Sequence, residues 1–298
     1  MKENKLKQVI HSIGEIPTLP SVVARVMQVL SDPYSSASDL TEIISVDQAM
    51  TFRILKMANS AYYGFPRAVA TVTEAIVLLG FTTVRNLILT TMMYNFDQMW
   101  TPRASQPKPV GSQALFNQRQ AWKHAVATAI MTRELLTSQR MSAQENFGFL
   151  AGLMHDVGKV LFYHYFLADY AMVLRQESGD QRSLLQREVE VMGAHHGQVG
   201  AWMVDRWNLP AEIVTPIACH HAPEEAKEQK ALTQVLYMAN RLAHATLQDE
   251  TEAEGLRRPS QPGTMQIWEQ LGLSTEQIQN MEKSLLRELQ EIEKFMQV

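Results

Sequence analysis

The sequence predicts an all-α protein, and three observations carry that prediction. Apolar residues recur at helical spacing, strand-like alternation is scarce, and 17 methionines stand against only 14 glycines. Positions three and four apart share one face of a helix, because a turn takes 3.6 residues. With 298 residues, 46% hydrophobic and 19% charged, the chain is long enough to bury one large core or two modest ones.

The elements follow in order. Leu6 to Ile13 reads as a short helix closed by Gly14. Ile16-Pro17-Thr18-Leu19-Pro20 is an extended connector, since each proline biases the residue before it away from the α region. Ser21 caps a helix carrying Val22, Val23, Val26, Val29 and Leu30. Ser38 and Asp47 cap the next two, the second of which runs through Met50, Ile54, Leu55 and Met57 to Asn59-Ser60. Tyr62-Tyr63-Gly64-Phe65-Pro66 is a turn whose aromatic rings pack. Thr73 opens a helix that Gly80 ends, and Thr82 to Met93 forms another. Together these make an N-terminal helical subdomain over residues 1–100.

Three prolines between Asp97 and Gly111 mark a linker or surface loop, set at residues 101–112. A long helix, Gln113 to Ser138, then carries Trp122, Val126, Ile130 and Leu135 as its inner stripe. Further helices hold Phe147, then Val189, Val191 and Met192, then Gly200 to Met203, Ala211 to Cys219, and Thr233 to Leu247. They form a second helical subdomain over residues 113–248, expected to pack with the first. A second linker and a final helix fill residues 249–298. Ser274 caps that helix, and Ile278, Met281, Leu285, Leu286, Leu289, Ile292 and Phe295 form its stripe.

Composition narrows the function. A formal net charge of -4 argues against general nucleic-acid binding. The single cysteine, Cys219, cannot form a disulfide or a thiolate cluster within the chain. Met1 to Gln8 carries no signal-peptide apolar core, and no run reaches membrane-spanning length, so the protein is expected in the cytoplasm.

The chemistry gathers on the stretch Gly148 to Lys159, which delivers His155 and Asp156 as neighbours, with Gly158 and Lys159 within one turn. An imidazole beside a carboxylate offers a neutral nitrogen and an anionic oxygen, a donor set suited to divalent transition metals. His124 upstream and His196, His220 and His221 downstream lie on helix-like segments. His195, beside His196, would point about 100° away on a helix. His11, His164 and His244 read as surface or outer groups.

Three N-terminal stretches, "IPTLPSVVARVMQVLSDP", "DLTEIISVDQAMTFRILKMANSAYYG" and "TVTEAIVLLGFTTVRNLIL", resemble HDOD domains. So do "FLAGLMHDVGKVLF", "GAHHGQVGAWMVDRWNLPAEIVTPIACHHAP" and "YMANRLAH" further on. The resemblance covers Ile16 to Ala245. It implies an all-helical bacterial signalling module related to the HD and HD-GYP phosphohydrolases, many of whose HDOD members have lost their metal ligands. Matched to the HD-GYP metal site, His124 is the first ligand, His155 and Asp156 the name-giving pair, His196 the next histidine, and His220 and His221 the paired histidines. By the same match Asp156 bridges two metals and Lys159 lies near substrate phosphate. Three positions depart from the pattern. Asn240 stands where the superfamily has its last aspartate, Gln120 where some members have a glutamate, and no Gly-Tyr-Pro follows His221.

Replacing an aspartate with Asn240 leaves such a centre more cationic, and so better suited to hold a phosphate. The resemblance therefore implies two divalent transition metals, iron foremost, with zinc, manganese or nickel as alternatives. Two functions stand against each other. One is a signalling module with a protein partner and little or no hydrolysis. The other is a metal-dependent phosphohydrolase acting on a nucleotide or cyclic dinucleotide, with Asp156 and Lys159 as its catalytic groups. In both, a phosphate-bearing small ligand fits the site, and neither nucleic acid nor membrane is a partner.

Overall fold

Short polar caps explain why this chain breaks into many short helices. The computed structural model describes residues 24–26, 28–29, 35–99, 116–141, 144–175, 183–247 and 262–296. Among them residues 24–26 and 28–29 are helical, and from residue 37 on the described chain forms fourteen α-helices, one 3₁₀ turn and no strand. The all-α expectation holds. The expected helix at 6–13, the proline connector, the Ser21 cap and residues 100–115 and 248–261 of the two linkers lie outside the described residues.

The chain divides into two compact units. One comprises residues 19–96 and 275–298. Helix α1 (Ala37–Ser45) is capped by Ser36 rather than Ser38, because Asp39 closes a capping box on Ser36. Asp47 caps α2 (Gln48–Ala58), its Oδ1 accepting from the N–H groups of Ala49 at 2.9 Å and Met50 at 3.1 Å. Asn59 both ends α2 and pins the loop beyond. Its Nδ2 donates to the carbonyls of Leu55 and Val69, and its Oδ1 accepts from the Val69 N–H at 2.7 Å. Thr71, not Thr73, caps α3 (Val72–Leu79), because the Glu74 N–H donates to the Thr71 hydroxyl while Glu74 reaches back to the Ala70 N–H. Gly80 takes φ +87° at the end of α3, and α4 (Phe81–Met99) follows. The last helix, α14 (Thr275–Met296), belongs to this unit and packs on α2. Ile278, Leu285, Leu289, Ile292 and Phe295 are buried as its stripe predicts, but Leu286 is exposed and Glu282 is buried instead.

The other unit comprises residues 1–18 and 97–274. Asn117 caps α5, which spans Gln118–Ser138 and so starts five residues later than the stripe suggested. Next come α6 (Glu145–Met154), α7 (Val157–Tyr165), α8 (Leu167–Leu174), α9 (Leu184–Met192), α10 (His196–Arg206), α11 (Ala211–Cys219), the 3₁₀ turn Pro223–Glu225, α12 (Lys230–Leu247) and α13 (Pro262–Leu271). The core of the unit is α5 laid against α6 and α12. Glycine lets α5 and α6 approach: a Cβ on Gly152 would stand 2.7 Å from the Ala129 Cα. Gly158 does the same between α7 and α10, where a Cβ would overlap the His196 carbonyl. No single helix among the described residues is long and apolar enough to cross a membrane.

Candidate metal centre

The His-Asp pair lies at the junction of α6 and α7 rather than on a helix as expected. His155 is the C-cap of α6 and Asp156 the N-cap of α7, with φ -97° and ψ 8° at Asp156 interrupting the helical run. His155 is wholly buried, and its Nδ1–H donates to the Gly152 carbonyl at 2.7 Å. A carbonyl can only accept, so the proton is on Nδ1 and the Nε2 lone pair is free. The end of α11 repeats the device. His220, also wholly buried, is its C-cap and donates Nδ1–H to the Ile217 carbonyl at 2.7 Å. Both Nε2 atoms are buried without a hydrogen-bond partner.

Asp156 stands between two sets of such nitrogens. Its Oδ2 is 3.4 Å from His155 Nε2 and 4.0 Å from His124 Nε2. Its Oδ1 is 3.1 Å from His196 Nε2 and 3.8 Å from His220 Nε2. His221 Nε2 completes the second set, 2.8 Å from His196 Nε2. The six side chains expected to converge do so, in two groups that share Asp156: His124, His155 and Asp156, and Asp156, His196, His220 and His221. Within each group the ligand atoms lie within 4.8 Å of one another.

Lys159 and Asn240 also belong here. The Lys159 ammonium lies 2.6 Å from Asp156 Oδ2 and neutralises it directly. Asn240 Oδ1 lies 2.9 Å from His124 Nε2. Gln120 is exposed on the first turn of α5. His195 is not on a helix: it is the extended N-cap of α10, its N–H donating to Gln198 Oε1 at 3.3 Å. Cys219 and His164 join neither group, and His11 lies outside the described residues. Tyr62, Tyr63 and Phe65 pack on each other in the other unit, as the turn predicted.

Two residues border the centre: Glu188, which the sequence did not single out, and His244, expected as a surface or outer group. Glu188 on α9 is wholly buried, and its Oε2 accepts from both the Nδ1–H of His196 at 2.7 Å and the His196 backbone N–H at 2.9 Å. Of the apolar residues that α9 carries, Met192 is buried while Val189 and Val191 are exposed, and the acid faces the core. His244, one turn beyond Asn240 on α12, stacks on His124 with ring centroids 4.0 Å apart. Its i+4 spacing from Asn240 was the signal available in the sequence.

Electrostatics favour the ligand forms of these side chains. Burial holds His155 below its ordinary value and His124 and His220 well below theirs, and pushes His221 down to about 2. These rings are therefore neutral, as metal ligation requires. Burial alone would raise Asp156, but His155, Lys159 and His196 outweigh it and hold the carboxyl well below the usual carboxylate range. His196 runs the other way. Burial and Lys159 pull it down, Glu188 and Asp156 outweigh them, and its pKa is raised. The donor set thus fits a divalent metal: five converging imidazoles, two of them with unpartnered Nε2 atoms, one shared carboxylate, and the rings of His155, His196 and His220 held from behind by carbonyls and a carboxylate.

Among the described residues the chain is helical, with a histidine cluster gathered around Asp156 at a helix junction. Residues 16–223 match the HDOD domain, and the chain belongs to that family. A curated relative, an uncharacterized protein of Treponema pallidum (strain Nichols), is 24% identical over 249 residues, which is 83% of this chain and 45% of the relative. The chain thus spans under half of that relative's length. Among solved structures, an HDOD domain protein of unknown function from Geobacter sulfurreducens superposes with a TM-score of 0.77 at 21% identity, covering 98% of each chain. A candidate phosphohydrolase from Shewanella amazonensis SB2B gives 0.68 at 22% identity, over 96% of this chain and 97% of that one. A candidate signal transduction protein from Marinobacter aquaeolei VT8 gives 0.70 at 21%, over 95% of this chain and 60% of that one.

Proposed function

We propose that this HDOD chain is a signalling module built around a divalent-metal centre in which two ions share Asp156, with little or no hydrolase activity. The metal reading is carried by one observation. His155 and His220 each bury an Nε2 with no hydrogen-bond partner, a costly arrangement of about 1–3 kcal/mol per orphaned group unless a ligand takes the lone pair. His124, His155, Asp156, His196, His220 and His221 would hold the ions, iron foremost and zinc, manganese or nickel as alternatives. Asn240 supports the loss of turnover, because an amide carbonyl neutralises no charge. The pairing of Lys159 with Asp156 supports it too, since an ammonium so engaged is not presented to a phosphate. The metal would hold the fold at the α6–α7 junction and hold a phosphate-bearing ligand, and the helical surface would bind a protein partner.

A metal-dependent phosphohydrolase remains the second reading, favoured by Lys159 lying within the centre and by the partial exposure of Asp156. Bound divalent ions would supply charge to a phosphate and activate water. The test compares three proteins for metal content and for turnover of a nucleotide and cyclic-dinucleotide panel. Wild type should hold metal and turn over slowly or not at all. His155→Ala should lose metal, and Asn240→Asp should bind it more tightly. Fast hydrolysis by wild type, unaffected by Asn240→Asp, would make the protein an enzyme.

A further inference from the structure

We propose that Glu188 is a positioning residue that makes one half of the centre the tight half, so that divalent ions load in order. The first ion enters among Asp156, His196, His220 and His221, and the second, more weakly, among Asp156, His124 and His155. This rests on the metal reading above.

Three differences between the halves carry the order. The first concerns proton placement. Carbonyls place the proton on Nδ1 once in each half, Ile217 for His220 and Gly152 for His155, but Glu188 also fixes the proton of His196 on Nδ1 and turns Nε2 toward Asp156 Oδ1. A buried carboxylate behind a ligating imidazole also raises its basicity. His124 has no such support. Its Nδ1 is buried without a partner, and its Nε2 is taken up by Asn240 Oδ1. To ligate through Nε2, His124 must move its proton onto an Nδ1 that has no acceptor.

The second difference is charge. Glu188 adds a buried anion close behind the His196 half, its Oε2 2.7 Å from His196 Nδ1, and a fixed buried anion there favours a dication in front of the ring. In the His124 half the residue that meets the ring is the neutral Asn240, and it does so on Nε2, the ligating nitrogen. The third is competition. Lys159 sits on Asp156 Oδ2, the oxygen of the His124 half, and leaves Oδ1 to the other. A second ion must therefore share or displace that ammonium.

Titration of the metal-free full chain with cobalt(II), followed by calorimetry and visible absorption, reads the order directly. The wild type should bind two equivalents, the first at least about tenfold tighter than the second. Glu188→Gln keeps the shape and removes the charge, and should weaken the first step by about 10–100-fold while the second changes little. Asn240→Asp, on the opposite half, should tighten the second step and leave the first alone. Tyr170→Phe removes only the 3.4 Å hydroxyl contact to the other Glu188 oxygen and should move neither step far. A purely structural role for Glu188 would lower both steps together, and that result overturns the proposal. So would two equal steps in the wild type, or Asn240→Asp tightening the first step. No cobalt bound by the wild type would overturn the metal reading itself along with the order.

Discussion

His155, His220 and His221 are residues whose neutral form the fold selects, and pH is the variable that exposes this. The unfolded chain titrates histidine near about 6.5, whereas His221 is pushed down to about 2 and His244 to about 4 in the folded chain. Above the unfolded value both states are neutral and these rings add nothing to the pH dependence. As pH falls below it, only the unfolded chain takes up protons, so stability falls by up to about 1.4 kcal/mol per pH unit for each such ring. His124, His155 and His220 act in the same direction, while His196, whose pKa is raised, opposes them because it is stabilising below its unfolded value. Asp156, held low, contributes stability that is fully present above its unfolded value and is lost only in more acidic solution. The melting temperature of the metal-free protein, read by circular dichroism in chelator, should fall from pH 7 to pH 5. A flat or rising profile would mean the cluster is protonated when folded.

At the scale of elements, the centre depends on how closely α7 approaches α10. Gly158 lies against the His196 backbone, with Gly200 N 2.9 Å from where a Cβ would stand, and backbone atoms cannot swing aside. Gly158→Ala should therefore lower stability by about 1–3 kcal/mol or more and weaken metal binding with it, since the displaced element carries His196. Thermal melts and metal content of the purified variant check both. The caps of the other unit make a contrasting case. Asp47→Ala removes acceptors for the Ala49 and Met50 N–H groups and should lower stability by about 1 kcal/mol. Metal content should not change, because no residue of the centre lies in that unit.

For the whole molecule, the last helix is the informative part. Deleting residues 275–298 strips Ile278, Leu285, Leu289, Ile292 and Phe295 from the unit that α1 to α4 belong to. Each buried apolar side chain of this size contributes about 1.5–3 kcal/mol, so the loss rivals the whole stability of a domain, about 5–15 kcal/mol. The truncated chain should lose the cooperative melt of that unit while keeping the metal stoichiometry of the wild type. Circular dichroism with metal analysis tests this, and loss of metal in the truncated chain would refute the separation.

The sequence by itself determined the helices and the donor atoms. Spacing places Ile278, Leu285, Leu289 and Ile292 on one face wherever α14 docks, since that periodicity is a property of the helix alone. Ordered motifs name His124, His155, Asp156, His196, His220 and His221, and all six meet. Caps were legible only to within a residue or two. Ser36 and Thr71 displaced Ser38 and Thr73 because the acid at the third helical position selects the cap. Tertiary structure alone decided which oxygen of Asp156 faces which histidines, that Lys159 takes Oδ2, and that α9 turns Glu188 inward while Val189 and Val191 stay in water. A buried carboxylate is stable only where partners meet it from another element. Those partners, the His196 N–H groups, lie beyond the end of α9, so the local pattern of that helix carries no trace of them.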